Sequence, residues 1–335
     1  MLYISPSYAK DFHCIADRCR DSCCIGWEIY ADADTLEKYE TMDGALGADI
    51  RKSLSREGCF MLGEDLRCPH LLKSGLCRII CEAGEDALCD ICREHPRFYN
   101  YFGGVCEWGV GLSCESAARL ILSAKNPLCF EKEERDEASE DCDEVLFALL
   151  SKEREKMLLL ASDEKIAFFQ KLSILEKWAE ELQNFIENKN ISKDLFAFSD
   201  IFNKEEPFFQ EERMHKYRSI VLSLEPLSPV WMERCERVSL PNGNAQSQEE
   251  FSRLLAYFIF RYFLTSAMEG DCMAGMGLAI FSAAWIYALC ESEGRKSCEE
   301  IAEAAKDFSK ETEYSEDNRD AVLDAFSAFN ESFTE

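Results

Sequence analysis

Eighteen cysteines dominate the chemistry open to this chain, and they are unevenly spaced. The first group reads Cys14-x4-Cys19-x3-Cys23-Cys24, followed by Ile25-Gly26-Trp27. The second reads Cys68-Pro69-His70-Leu71 and then Cys77-x3-Cys81-x7-Cys89-x2-Cys92, with Cys106 and Cys114 closing the set. Four thiolates complete a tetrahedral zinc site or hold a cubane iron–sulfur cluster. A site drawing on both groups would staple segments separated by residues 25–67. Only Cys89-x2-Cys92 has the close pairing usual in structural zinc fingers, which makes iron–sulfur ligation attractive and leaves zinc as the alternative metal. The radical-cluster spacing CxxxCxxC is incomplete, because Gly26 stands where its third cysteine would fall. Adjacent residues point in different directions, so Cys23 and Cys24 either ligate different irons or divide between ligation and packing. Free cysteines pack well in cores, and Cys59, Cys129 and Cys142 are the first expected bystanders.

The other polar candidates are few. His13 and His70 flank Cys14 and Cys68, and each is expected on the surface or in packing. Arg93 and Arg97 bracket His95 and would offset thiolate charge or pair with carboxylates. Walker, HExxH, GxSxG and dinucleotide-loop patterns are absent from the sequence. Arg261 interrupts an apolar run beside Tyr257 and Tyr262. A cation there must find a partner or reach solvent, which makes that face a candidate pocket wall.

The elements that position these residues divide the 335-residue chain in two. Fourteen cysteines lie at or before Cys142, and only Cys235, Cys272, Cys290 and Cys298 follow. Residues 1–125 read as a cysteine-rich metal-binding region broken by glycine turns, with Asp34 as N-cap of a short helix and a further helix over 114–124. Such a region lacks a continuous apolar face, so bound metal would supply part of its folding energy. Residues 126–335 read as a helical region. Its boundary, residues 131–144, holds nine acidic and two basic side chains and reads as a solvated segment running into a helix over 144–160. Ile166, Phe169, Leu172, Leu175, Trp178 and Leu182 recur at helical spacing. Further helices are expected over 248–268, 273–289, 298–308 and 317–329. Pro226, Pro229 and the run from Pro241 mark loops, and 190–212 gives no clear boundaries. The expected fold is therefore mainly α: a metal-stapled, cysteine-rich N-terminal region packed against a helical body.

Composition sets the outer limits. The chain is 47% hydrophobic and 30% charged, with a formal net charge of −27. The apolar content excludes a disordered chain, and the charge repels nucleic acid and anionic membranes, so no nucleic-acid partner is expected. Cys272 to Cys290 carries no formal charge. Its small residues and acidic flanks suit a helix buried between neighbours, so no stable membrane insertion is expected. The start lacks a cationic segment followed by an apolar run. A cytoplasmic protein with thiolate ligands, rather than disulfides, is the expectation.

The motifs then converge on one family. Tyr8-x3-Phe12-x-Cys14-x4-Cys19-x3-Cys23-Cys24-x2-Trp27 resembles the opening of the flagellin lysine-N-methylase family. Cys68-Pro69-x-Leu71, Leu76-Cys77-x-Ile79, Gly84-Glu85-x2-Leu88, Cys92-x3-Pro96-Arg97 and Leu112-x-Cys114-Glu115 with Arg119 continue the likeness in order, and Tyr257-x3-Arg261-Tyr262-Phe263 extends it. A broader group of cysteine-rich iron–sulfur or zinc-binding proteins shares a related pattern. The resemblance implies methyl transfer from S-adenosylmethionine to lysine side chains of flagellin, with a 4Fe-4S cluster required for activity. The ligands it implies are Cys19, Cys23, Cys24, Cys68, Cys77 and Cys92, with Cys14 and Cys114 behind them. It leaves the roles of Cys81, Cys89 and Cys106 open. Arg261, Tyr257 and Trp27 are the residues singled out for cofactor binding, and no catalytic residue is singled out. The competing reading is a non-enzymatic iron–sulfur or zinc-binding structural or redox-sensing module.

Overall fold

The computed structural model describes residues 1–125, 129–138, 141–188, 207–242 and 248–329. The fold is mainly α, as expected, but it carries a four-stranded sheet that the sequence reading did not anticipate. Strands β1 (Leu2–Pro6), β2 (Arg97–Phe102), β3 (Val105–Val110) and β4 (Phe130–Glu134) lie in the order β2-β3-β1-β4. β1 runs parallel to β3 and antiparallel to β4, and β2 and β3 form a hairpin. That hairpin turns at Gly103, whose φ of +56° suits glycine. The aromatic and β-branched residues of β2 and β3 favour strands. β4 corrects the reading of 131–144 as a plain solvated boundary. Its sequence FEKEE keeps its charged side chains in solvent while its backbone closes one edge of the sheet, as charged edge strands do.

Four short helices build the front: α1 (Ala33–Thr41), α2 (Gly44–Ser53), α3 (Arg78–Ala83) and α4 (Asp90–Glu94). Isolated bridges Ile25–Arg67, Tyr30–Cys59, Leu54–Phe60 and Leu71–Cys77 link the intervening loops. Its own core is small, with nine buried side chains including Ile29, Tyr39, Ile50, Phe60 and Cys89. The N-cap of α1 is Asp32, not Asp34: its carboxylate accepts from the Thr35 N–H at 2.9 Å.

The body follows as α5 (Glu115–Ser123), α6 (Glu144–Ser162), α7 (Phe168–Asn188), α8 (Glu211–Ser223) and α9 (Pro229–Glu236). Next come α10 (Gln248–Phe258), a π-helical turn (Ile259–Phe263), α11 (Leu264–Met268), α12 (Cys272–Glu293), α13 (Cys298–Glu313) and α14 (Glu316–Phe326). Pro229, expected in a loop, instead opens α9 at its first turn, where its missing N–H costs nothing. Residues 189–206 and 243–247, which hold most of 190–212 and part of the run from Pro241, lie outside the described residues. α12 is the centre of the body and packs against α7, α10, α13 and α14. Two glycines permit close approach to α12: a Cβ on Gly275 would stand 2.8 Å from the Tyr262 carbonyl oxygen, and one on Gly277 would stand closer still to the Phe326 Cβ. α12 is long and apolar enough to cross a membrane, yet 89% of its apolar window is buried inside the fold. This agrees with the buried-helix expectation.

Candidate functional site

The front cysteines gather in two neighbourhoods. Cys14 follows a 3₁₀ turn (Ser7–Asp11), and the Ala16 N–H donates to its sulfur at 3.4 Å. Cys19 ends a second such turn (Ala16–Arg18), and its thiol faces the Asp21 carbonyl at 3.2 Å and Glu115 Oε2 at 3.7 Å. Cys114 stands at the N-terminus of α5, immediately before Glu115. That buried carboxylate accepts from the Arg20 N–H at 2.8 Å and from Arg20 Nε at 3.1 Å, and it pairs with Arg119 at 2.8 Å. Ser116 also donates to the His13 carbonyl at 2.8 Å. The first turn of α5 thus holds the Cys14–Cys19 loop on both sides. Burial raises the Cys114 thiol to about 11, against nearby backbone N–H groups, and the charges of Cys19 and Cys14 raise it further. The Cys23 thiol is held up first by donating to Cys24, then by burial and by the charges of Cys24, Cys114 and Cys14.

The second neighbourhood begins at Cys24, whose carbonyl accepts from the Cys68 N–H at 2.8 Å. Leu71 bridges to Cys77, which returns the chain to Cys68. Cys77 and Cys89 stand at the N-termini of α3 and α4, and Cys92 lies one turn along α4. Cys77, Cys89 and Cys92 all pack into the small front core. The Cys92 thiol donates to Cys89, which holds Cys92 up and Cys89 down. Burial raises Cys68 to about 11, and the charges of Cys24, Cys77 and Cys89 add to it. Cys24 is held down by the donating Cys23 thiol, against burial and with help from Ser22 and Arg67. Other cysteines stand elsewhere: Cys59 beside Glu28 and Tyr30, and Cys106 beside Tyr101 and Tyr3. His70 is buried in packing, bonded to Ser53 at 2.9 Å and edge-on to Phe60.

The three residues singled out for cofactor binding meet through two consecutive side chains, Glu313 and Tyr314. Arg261 donates to Tyr257 Oη at 2.6 Å and to Glu313 Oε2 at 2.9 Å, and its guanidinium lies 4.6 Å from the Phe98 ring centroid. Tyr257 Oη accepts from the Leu112 N–H at 3.2 Å, two residues before Cys114. The π turn places Arg261 here. Within that turn, the Phe260 and Arg261 carbonyls accept from Arg154 and Asn100, at 3.4 and 2.8 Å. Widened turns of this kind free carbonyls that must be satisfied elsewhere and recur at functional sites. Tyr314 stacks on Trp27 with centroids 5.0 Å apart and planes 10° apart, and His95 closes the trio at 5.7 Å from Trp27. The Trp27 indole N–H donates to the Cys23 carbonyl. Trp27 therefore joins the cysteine loops to the end of α13, and Arg261 braces the same end from inside the body.

Two proteins named Lysine-N-methylase, from Salmonella choleraesuis (strain SC-B67) and Salmonella typhimurium (strain LT2), are 30% identical to this chain over 127 residues. That covers 35% of this chain and 32% of each relative. A protein named Flagellar biosynthetic protein FliU, from Salmonella muenchen, is 29% identical over 127 residues, with 75% of its length covered. The resemblance to the flagellin lysine-N-methylase family is borne out. The chain spans about a third of the length of the curated lysine-N-methylases it matches. No family model matches the chain, and no solved structure matches it significantly.

The lysine-N-methylase likeness named neither Glu313 nor Tyr314, and it attached no role to Glu115. Each sits at a helix end with no distinctive spacing, so only the fold shows that they join distant motifs. Asp21 was equally invisible: it accepts from Lys306 at 2.7 Å and Lys310 at 2.8 Å, which fastens the front to α13. Among the described residues, no three His, Cys, Asp or Glu side chains already stand in a metal-holding arrangement. The donor chemistry nevertheless fits a thiolate-held group. The donors are soft sulfur: Cys24, half-buried beside Arg67, and the buried Cys89 are lowered toward ionisation, whereas Cys23, Cys68, Cys92 and Cys114 are held up.

Proposed function

We propose that this chain transfers methyl groups from S-adenosylmethionine to lysine side chains of a flagellar protein, flagellin, in the cytoplasm, with an iron–sulfur cluster held by its front cysteines. The observation that carries this reading is the similarity to proteins named Lysine-N-methylase and FliU. The cysteines that would hold the cluster come from Cys14, Cys19, Cys23, Cys24, Cys68, Cys77, Cys92 and Cys114, and Cys89 lies beside Cys92 in the front core. When bound, such a cluster would supply a Lewis-acidic iron or a one-electron couple.

The rest of the chemistry falls to the chain. A lysine ammonium must lose its proton before its nitrogen attacks the methyl carbon. The N–C bond then forms as the C–S bond breaks, S-adenosylhomocysteine leaves with the electron pair, and the remaining proton passes to solvent. A net charge of −27 draws cationic lysines to the surface, but it also favours the unreactive ammonium. An apolar wall is needed to shed the proton. Aromatic rings such as the stacked Trp27 and Tyr314 attract both a sulfonium and an alkylammonium where a face or edge is left open. Arg261 and Tyr257, fixed by Glu313, hold that wall in place rather than reaching far into solvent. The anaerobically purified chain is incubated with flagellin and isotopically labelled S-adenosylmethionine, and modified lysines are mapped by mass. Labelled methyl-lysine is expected; its absence with fully metal-loaded protein overturns the enzyme in favour of a metal-binding module.

A further inference from the structure

The sheet has two edges, and they are built differently. β4 closes one of them with FEKEE, whose charged side chains guard against pairing with another chain. β2 forms the other with RFYNYF, aromatic apart from Arg97 and Asn100 and free of proline and lysine. The Gly111 N–H donates to the Pro96 carbonyl at 2.7 Å, next to the Arg97–Val110 pair. Backbone direction alternates along an antiparallel ladder. Phe98, Asn100 and Phe102 therefore turn their N–H and C=O groups to β3, whereas Arg97, Tyr99 and Tyr101 turn theirs outward. Among the described residues, β2 pairs with no strand but β3, and no hydrogen bond reaches those outward groups. Tyr101 is 55% exposed, and Tyr99 stacks on Trp108 of β3 at 6.5 Å.

The same strand touches the candidate site. Phe98 lies 4.6 Å from the Arg261 guanidinium, and the Asn100 side chain donates to the Arg261 carbonyl at 2.8 Å. β2 begins just after His95, whose ring centroid lies 5.7 Å from Trp27 and 5.8 Å from Tyr314. A chain laid along the open edge runs toward that aromatic group at the start of β2. We propose that the β2 edge binds an extended, lysine-bearing segment of the substrate protein as an added strand and so carries lysines toward Trp27 and Tyr314. For its partner the inference rests on the lysine-modifying reading above. Main-chain hydrogen bonds give strand addition its affinity with little dependence on sequence. Charge selects the occupant. A second copy would bring another −27 to the interface and be repelled, whereas a cationic segment is drawn in. Glu94 sets a carboxylate at this edge, where Tyr99 Oη donates to it at 2.8 Å. The nearby cations are already engaged, Arg93 with Asp90 and Glu94, and Arg97 over the Phe12 ring.

The test is peptide binding to the full chain, purified anaerobically, without S-adenosylmethionine and at about 0.15 M salt to screen long-range attraction. The probe is a fluorescent peptide of alternating lysine and threonine. One control replaces its lysines by glutamate. The other methylates every backbone nitrogen, which keeps the charge and removes the donors. The lysine peptide should bind, each control should bind about tenfold more weakly or worse, and the Tyr99 and Tyr101 amides should gain protection from exchange. Tyr101→Pro removes one outward donor at an edge position that tolerates proline. It should bind about tenfold more weakly than Tyr101→Ala. Equal binding of either control, or no binding of the lysine peptide, overturns the proposal. Protection of those amides without peptide, in a monomer or a dimer, overturns it too, because the edge is then already covered. If Tyr101→Pro fails to fold, the peptide comparison and amide exchange on the unaltered chain decide. Failed strand binding leaves methyl transfer standing, and absent methylation with strand binding intact refutes only the enzyme.

Discussion

The front and the body of this chain solve the same stability problem with opposite means. The body buries α12 on nearly all sides within one continuous apolar cluster that extends from Phe102 to Val322. Burial at roughly 25 cal/mol per Å² stabilises such a core without further help. The front has nine buried side chains, four short helices and isolated bridges in place of a sheet. A core that small does not readily offset the conformational entropy of ordering its loops. The comparison teaches why the cysteines concentrate where they do: they stand where apolar burial is thinnest, and along the seam where the front is fastened to the body.

The sharpest way to break the comparison is to strip the metal proposed for the front cysteines. With a strong chelator under anaerobic reducing conditions, the front is expected to open to protease between residues 14 and 95. The body should keep most of the helical circular dichroism. A structural thiolate site contributes on the order of 10 kcal/mol, well beyond what the front core supplies. Cleavage spread evenly over both regions, or none at all, would erase the distinction. The next largest effect should come from the body. Arg154 and Glu107 form a buried bidentate pair between α6 and β3, with one N–O distance of 2.5 Å. Arg154→Met leaves the Glu107 carboxylate buried and unpaired. A loss of roughly 3–5 kcal/mol in urea unfolding is expected. Glu107→Gln in the Arg154→Met background should recover part of it.

The same contrast governed how much could be read from sequence. The body's helices were legible because apolar residues recur every three or four positions, and α12 was identified as a buried helix although its composition suits a membrane. The strands were missed for particular reasons. FEKEE in β4 is an acidic edge with no alternating apolar face, and β2 and β3 look like irregular loop between cysteines. At the site, the cysteine motifs placed the ligand candidates, yet the pairing of Cys24 with Cys68 and the links of Trp27 to Tyr314 and Arg261 to Glu313 join residues far apart in sequence, 52 positions for the last. Periodicity carries no information about such contacts. The resemblance supplied the chemistry, and the fold supplied the partition.

A smaller effect sharpens the comparison at the body's own junctions. Glu311 is buried on α13 and accepts from the Leu227 N–H at 2.7 Å. Burial lifts its carboxyl to about 7, with the Leu227 and Ser228 N–H groups and Lys310 only partly opposing. A carboxyl whose folded value lies above its ordinary 4.5 favours the protonated folded state. Stability is therefore fully present below about pH 4.5 and is lost as the pH rises to about 7. Glu311→Gln keeps an oxygen acceptor without the charge. Above pH 7 it should raise the unfolding free energy by roughly 1–3 kcal/mol, with no gain at pH 4. A gain independent of pH would show that packing, not charge, sets the cost.

The smallest expected effect probes the front. Asp32 caps α1 through Thr35, and its second oxygen accepts from the Asp90 N–H at 2.9 Å, which ties α1 to the start of α4 beside Cys89 and Cys92. The sequence points to Asp34, which directly precedes the helical run from Thr35. Asp32 prevails because one carboxylate there serves two helix starts. Burial works against its ionisation, but the Asp90 and Thr35 N–H groups hold its carboxyl down at about 2. A carboxyl held below its ordinary 3.8 contributes stability above that value and loses it as the pH falls toward 2. Asp32→Ala should cost about 1 kcal/mol at neutral pH, the usual worth of a lost cap. The penalty should fade between about pH 4 and pH 2. Amide exchange would show the loosening in α1 and α4, with the body unchanged. If the loosened amides instead lay in α13, the front would be held by its seam to the body rather than by its own small core.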